Sequence, residues 1–125
     1  MISTTYILVG DGSHARLFET DEPTMPWRLV SKFDRAHSRE KLDRPDTHED
    51  RDEHAFARQL AANLESLRER GTLARLVVAA PAKFLGQLRG EMAHPLASLV
   101  VASVDKDFTH VADGSIHEHI HVPLG

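Results

Sequence analysis

The amino-acid sequence predicts a single α/β domain. Its expected core is one mixed five-stranded sheet, a three-strand antiparallel meander followed by α-β-α-β, with flanking helices. Three features carry that prediction. Tyr6 to Glu19, YILVGDGSHARLFE, is an apolar run, a Gly-Asp-Gly-Ser turn and a second alternating run, the pattern of a β-hairpin. Phe56, Leu60, Leu64 and Leu67 recur at helical spacing. Leu73 to Val104 reads strand, helix, strand, an order that implies a parallel pair with a right-handed crossover. At 125 residues the chain is large enough for one core and short for two.

In the first strand Ile7 and Val9 face one side and Tyr6 and Leu8 the other, so both faces are apolar and the strand belongs in the middle of the sheet. Asp11 sits at the hairpin tip. Residues 20–26 are polar and proline-punctuated, a connection. WRLVSKF, Trp27 to Phe33, alternates again, with Trp27, Leu29, Ser31 and Phe33 on one side, and reads as a third strand antiparallel to the second. From Asp34 to Glu53 nearly every position is charged or polar, and such a stretch buries too little surface to offset its ordering entropy; a mobile charged loop is expected there. Thr47 and Asp50 resemble a capping box for a helix over roughly His48 to Arg70, which Gly71 stops.

LARLVVAA, Leu73 to Ala80, is a buried strand closed by Pro81, which also opens a helix with Phe84, Leu85, Leu88 and Met92 inward. His94-Pro95 breaks that helix, one more turn follows to Ser98, and Leu99 to Val104 is a second buried strand. In the tail, SIHEHIHV alternates like a strand, yet Ile116 and Ile120 are also helically spaced. A short helix capped by Asp113 or Ser115 and ended by Pro123 is the favoured reading.

Composition narrows the function classes. The absence of cysteine removes disulfides, thiolate catalysis and cysteine-ligated zinc. A net charge of −4 argues against a broadly basic nucleic-acid binder while leaving room for a local basic face. No apolar run approaches the length of a membrane helix, and the first residues lack the basic flank and apolar core of a secretion signal. The expected location is the cytoplasm, with no membrane partner.

VGDGSHARLFE at the hairpin, Asp43-Arg44-Pro45 in the charged stretch, Phe56-Ala-Arg-Gln-Leu60, LVVAAPAKFLGQLR (Leu76 to Arg89) and VDKDFTH (Val104 to His110) together resemble, in the same order, the bacterial proteins required for attachment to host cells. That family is similar in fold to the middle domain of archaeo-eukaryotic peptide-chain release factors, which is ribonuclease H-like. In those factors a Gly-Gly-Gln loop between the third strand and the first long helix reaches the ribosomal peptidyl transferase centre. Here the matching segment, Asp34 to Glu53, contains neither glycine nor glutamine, so hydrolysis by that tripeptide does not carry over. What the resemblance implies is contact with a ribosome or structured RNA by a non-catalytic binding module. Arg35, Arg39, Lys41, Arg44 and Arg51 would serve as the binding loop's phosphate partners, with Lys83 and Arg89 on the later helix.

Two rival readings come from the residues. Asp11, Asp105 and Asp107 each follow the carboxyl end of a strand and, if they converge, could hold two divalent ions in a nuclease or phosphodiesterase. The plainer reading makes them turn and loop hydrogen-bonding groups. A self-associating structural or interaction protein, a homo-oligomer, is the other. His117, His119 and His121 share a face if the tail is a strand and could chelate zinc or copper, though surface histidines near a terminus more often bind metal only adventitiously. No cofactor is expected beyond such an adventitious divalent ion. Thr109 and His110 with Asp105 and Asp107 outline a proton-transfer set, and Ser13, His14 and Arg16 outline an anion site at the hairpin. In both places the plainer reading is loop structure.

Overall fold

The computed structural model describes residues 4–35 and 45–123. Strands β1 (Thr5–Gly10), β2 (His14–Thr20) and β3 (Arg28–Asp34) form the expected meander. β4 (Arg75–Ala79) and β5 (Val100–Val104) extend the sheet in parallel on the other side of β1, giving the order β3-β2-β1-β4-β5. β1 is central and all six of its residues are buried.

The period-two alternation of β1 divides its side chains between two cores. Tyr6 and Leu8, with Ala15, Leu17, Leu76 and Val78, lie under helices α1 (Pro45–Glu69), α2 (Ala82–Gly90) and α3 (His94–Ala97), which contribute Phe56, Leu60, Leu64, Phe84, Leu88 and Leu96. The Phe56 and Phe84 rings stack with centroids 5.8 Å apart. Ile7 and Val9, with Phe18, Val77 and Ala79, face the opposite way, where Trp27 and the C-terminal residues Ile116, Ile120 and Val122 cover them.

That second cover corrects the expected C-terminal helix. The tail's regular structure is a single 3₁₀ turn, Ile116–Glu118, and Ser115 precedes it without a side-chain capping bond. Ile116, Ile120 and Val122 are all buried on the sheet, and a guanidinium N–H of Arg75 donates to the Pro123 carbonyl. The tail follows the sheet surface because its apolar residues are needed there.

Three further expectations change. α1 starts at Pro45, which suits the first turn because a proline lacks only an N–H that is unpaired there anyway, so Thr47 lies within the helix instead of capping it. Residues 45–53 of the expected loop are therefore helical, and residues 36–44 lie outside the described residues. At the other end Gly71, with φ of 80°, donates to the Arg68 carbonyl while Thr72 N–H reaches back to Leu67, the paired bonds of a Schellman stop.

β3 does not keep Leu29 and Phe33 on one face. Its pairing with β2 shifts register between Leu17 and Phe18, so Val30 is the extra residue of a bulge: Leu29 packs with the tail core and Phe33 with the helix core. β5 was expected to be buried but is an edge strand, half-buried in alternation, with its own register shift beside Val101. The bulged valines Val30 and Val101 are 41% and 40% exposed, and both lie on the outer strands, where bulges hinder pairing with another sheet.

Candidate functional site

β1, β3, β4 and β5 all point the same way, so their carboxyl ends, together with the β1–β2 turn, form one edge of the sheet. Ligands of open α/β sheets usually bind at such an edge. It gathers Asp11 to His14, Asp34 and Arg35, the start of α2 with Lys83, and the loop from Asp105 to His110.

At the tip, Asp11 Oδ1 accepts from the amides of Ser13 and His14, both at 2.8 Å, and the Asp11 amide donates to the His14 carbonyl at 2.8 Å. The carboxylate thus closes its own turn. On the helix side, Glu53 of α1 lies against Gly12, where a Cβ would fall 2.8 Å from its Oε2, so a larger residue there would have to displace the Glu53 side chain. Glu53 Oε1 is 3.7 Å from Lys83 Nζ. Arg35 ties β3 to the same tip: its amide donates to the Ser13 carbonyl at 2.8 Å and its Nη1 to the Gly12 carbonyl at 3.2 Å.

On the tail side lies a cleft of about 270 Å³ between the β2–β3 ladder and residues Thr109 and His110. Arg16 forms its floor. Its guanidinium donates to Asp113 Oδ1 at 2.5 Å and to the carbonyls of Phe108 (3.0 Å) and Thr109 (3.3 Å), and lies 5.5 Å from the centre of the Phe18 ring. Its side chain is 14% exposed. His14 Nδ1 pairs with Asp34 at 2.9 Å, both of them exposed.

The metal sites were alternatives to the expectation of none, and the geometry lends them no support. Among the described residues no group of three or more His, Asp or Glu is placed to hold a metal ion, so Asp11, Asp105 and Asp107 do not form one. Asp11 is engaged in its turn. Asp107 accepts from the Thr109 amide at 2.8 Å and from its hydroxyl at 2.5 Å, and Asp105 is exposed. Burial pushes the Asp107 carboxyl up, but the hydroxyl and amide of Thr109, with His110 nearby, outweigh it and hold the group below the ordinary carboxylate value. Thr109 thus donates to Asp107 through both its amide and its hydroxyl.

His117, His119 and His121 line one open cleft of about 360 Å³ with Pro23 and Thr24, but they are not placed to hold a metal ion together. His117 is half-buried with its ring 6.4 Å from that of Trp27, His119 lies 6.3 Å from Phe108, and His121 is exposed. Of the basic residues expected to meet phosphate, Arg35 is built into the hairpin tip, Arg51 is exposed on α1, and Arg39, Lys41 and Arg44 lie outside the described residues. Arg89 Nη1 donates to Ser103 Oγ at 2.5 Å. The contact of Glu53 with Gly12, the place of Lys32 on the cleft lining and the pairing of Asp113 with Arg16 join residues far apart in the sequence. Only the spacing of His14 with Arg16 and of Lys32 with Asp34, two residues apart on adjacent strands, hinted at a shared face.

The crystal structure of the archaeal translation termination factor aRF1 is similar to this chain, with a TM-score of 0.59 at 12% identity, covering 94% of this chain and 35% of that one. A second structure, described as an archaeal protein, gives 0.56 at 13% identity over 92% of this chain and 32% of its own. The chain thus spans about a third of the length of these proteins. At such identities the likeness is one of fold, an α/β domain of the release-factor type. No curated protein matches the sequence. The family model described as "protein required for attachment to host cells" matches residues 34–120, and the chain belongs to that family.

Proposed function

We propose that this chain is a binding module that contacts the ribosome or a structured RNA through the charged segment from Asp34 to Glu53, and that it catalyses no reaction. The observation that carries this reading is the anchoring of both ends of that segment at one point. Arg35 bonds the Gly12 and Ser13 carbonyls at its start, and Glu53 packs on Gly12 at its end. The segment is tethered to the hairpin tip, on a fold shared with a translation termination factor. Arg39, Lys41, Arg44 and Arg51 supply cationic partners for phosphate, and the segment lacks the glycine and glutamine of the hydrolytic tripeptide.

Co-sedimentation with ribosomes tests it, comparing the intact chain with one in which residues 36–44 are replaced by a short Gly-Ser linker. The intact chain is expected in the pellet at low salt and the linker variant in the supernatant. Absence of both from the pellet, or equal pelleting of both, would sink the reading.

A further inference from the structure

We propose that the cleft on the tail side of the sheet, between the β2–β3 ladder and residues Thr109 and His110, binds a small phosphate monoester. The site lies on the opposite face of the sheet from Glu53 and α1, and it goes beyond the ribosome reading without depending on it. The first support is a cross-strand pair of cations of which one, Lys32, has no counter-charge. Arg16 and Lys32 are direct cross-strand partners on one face of the antiparallel ladder, an arrangement in which like charges repel. Asp113 answers Arg16, but Lys32 has no hydrogen-bond or ion-pair partner among the described residues. An ammonium brings three donors, and Arg16 has used three of its five on Asp113 and the two loop carbonyls.

The second support is the shape and chemistry of the surround. At about 270 Å³ the cleft lies just below the range of small-molecule sites, roughly 300–1,000 Å³, which suits a sugar phosphate better than a larger cofactor. Among its lining residues Asp34 is the one carboxylate, and it is engaged by His14 Nδ1 at 2.9 Å. That pair leaves His14 Nε2 uncommitted, and His110 stands on the facing loop. A compact dianion with three acceptor oxygens matches two cations and two imidazoles at the rim. A phosphate group also suits the planar, multi-donor guanidinium of Arg16, held in one orientation by three contacts. A neutral sugar would leave the Lys32 ammonium beside Arg16 without a counter-charge.

The test is an amide NMR titration of the full chain with ribose 5-phosphate and, separately, inorganic phosphate. A 5′-phosphorylated RNA trinucleotide serves as the strand-end source of the same group, and ribose is the uncharged control. Saturable shifts confined to His14, Arg16, Lys32, Thr109 and His110 are expected with ribose 5-phosphate, with a dissociation constant of roughly 1 mM or tighter. Lys32→Gln, at an exposed position that leaves the fold intact, is expected to weaken binding at least about tenfold. Arg58→Gln, on an exposed face of α1, is expected to leave it unchanged. The inference is overturned by non-saturating or scattered shifts, by equal binding to Lys32→Gln, by equal response to ribose, or by binding of the trinucleotide alone. Co-sedimentation with ribosomes by Lys32→Gln separates the two proposals, since loss of this cleft leaves residues 36–44 untouched.

Discussion

Arg16 concentrates the polar order of the tail face: one side chain joins β2 to Asp113 and to the carbonyls of Phe108 and Thr109. Replacing it with glutamine removes these charge-assisted bonds from a largely buried position, and we expect a loss of about 1.5–3 kcal/mol in urea unfolding. Asp107 gives a finer test. Its folded-state value lies below the ordinary one, so it contributes stability above the unfolded carboxyl value, near pH 4, and that contribution is lost as pH falls through the folded value. Thr109→Ala removes the hydroxyl donor and keeps the amide, so the carboxyl should titrate closer to the ordinary range and a smaller share of stability should be lost on the acid limb, whose onset stays at the unfolded carboxyl value. Carboxyl ¹³C NMR reads this directly, and an unchanged Asp107 titration would contradict the assigned cause.

Among the elements, the β1–β2 hairpin is closely packed at Gly10. A Cβ on Gly10 would meet Ala15 Cβ at 2.9 Å and the His14 carbonyl oxygen at 3.0 Å, so Gly10→Ala forces two strands apart and should cost about 1–3 kcal/mol. At the end of α1 the strain is conformational: Gly71 has φ of 80°, and alanine there should cost about 1–2 kcal/mol with no steric contact to blame, since a Cβ would meet nothing within 4 Å. Comparing the two by urea unfolding separates crowding from backbone strain. The bulges of β3 and β5 act differently. They turn Val30 and Val101 outward on the two outer strands, and the one in β3 also resets which side chains meet across the ladder.

For the whole molecule the decisive arrangement is a sheet covered on one face by helices and on the other by a nearly irregular tail. Truncation after Asp107 would uncover Ile7, Val9, Phe18, Val77 and Ala79, all essentially inaccessible when the tail is present. Such a chain should bind a hydrophobic dye and aggregate. Retention of a cooperative unfolding transition would show that the tail is dispensable. Among the described residues no helix is long and apolar enough to cross a membrane. If the charged segment meets RNA, replacing Arg39, Lys41 and Arg44 with glutamate should flatten the slope of log affinity against log salt by about 2 to 3, as expected for three lost phosphate contacts.

Local chemistry determined much of this protein. Two-sided apolarity placed β1 at the centre, Pro81 and Gly71 set helix limits, and strand-helix-strand order fixed the parallel half of the sheet, because each rests on backbone sterics or burial period within a short window. The candidate sites were less legible. Asp11, Asp105 and Asp107 share a position after strand ends, yet hydrogen bonds to neighbouring amides and the absence of a common centre decided against them. The pairing of Arg16 with Lys32 could not be read from the chain at all. Continuing the register of Glu19 with Arg28 would place Ser31 opposite Arg16, and only the bulge at Val30 shifts Lys32 there. That bulge arises from packing Leu29 and Phe33 into different cores, a compromise between two faces of a sheet that exists only once the tail and the helices are both in place.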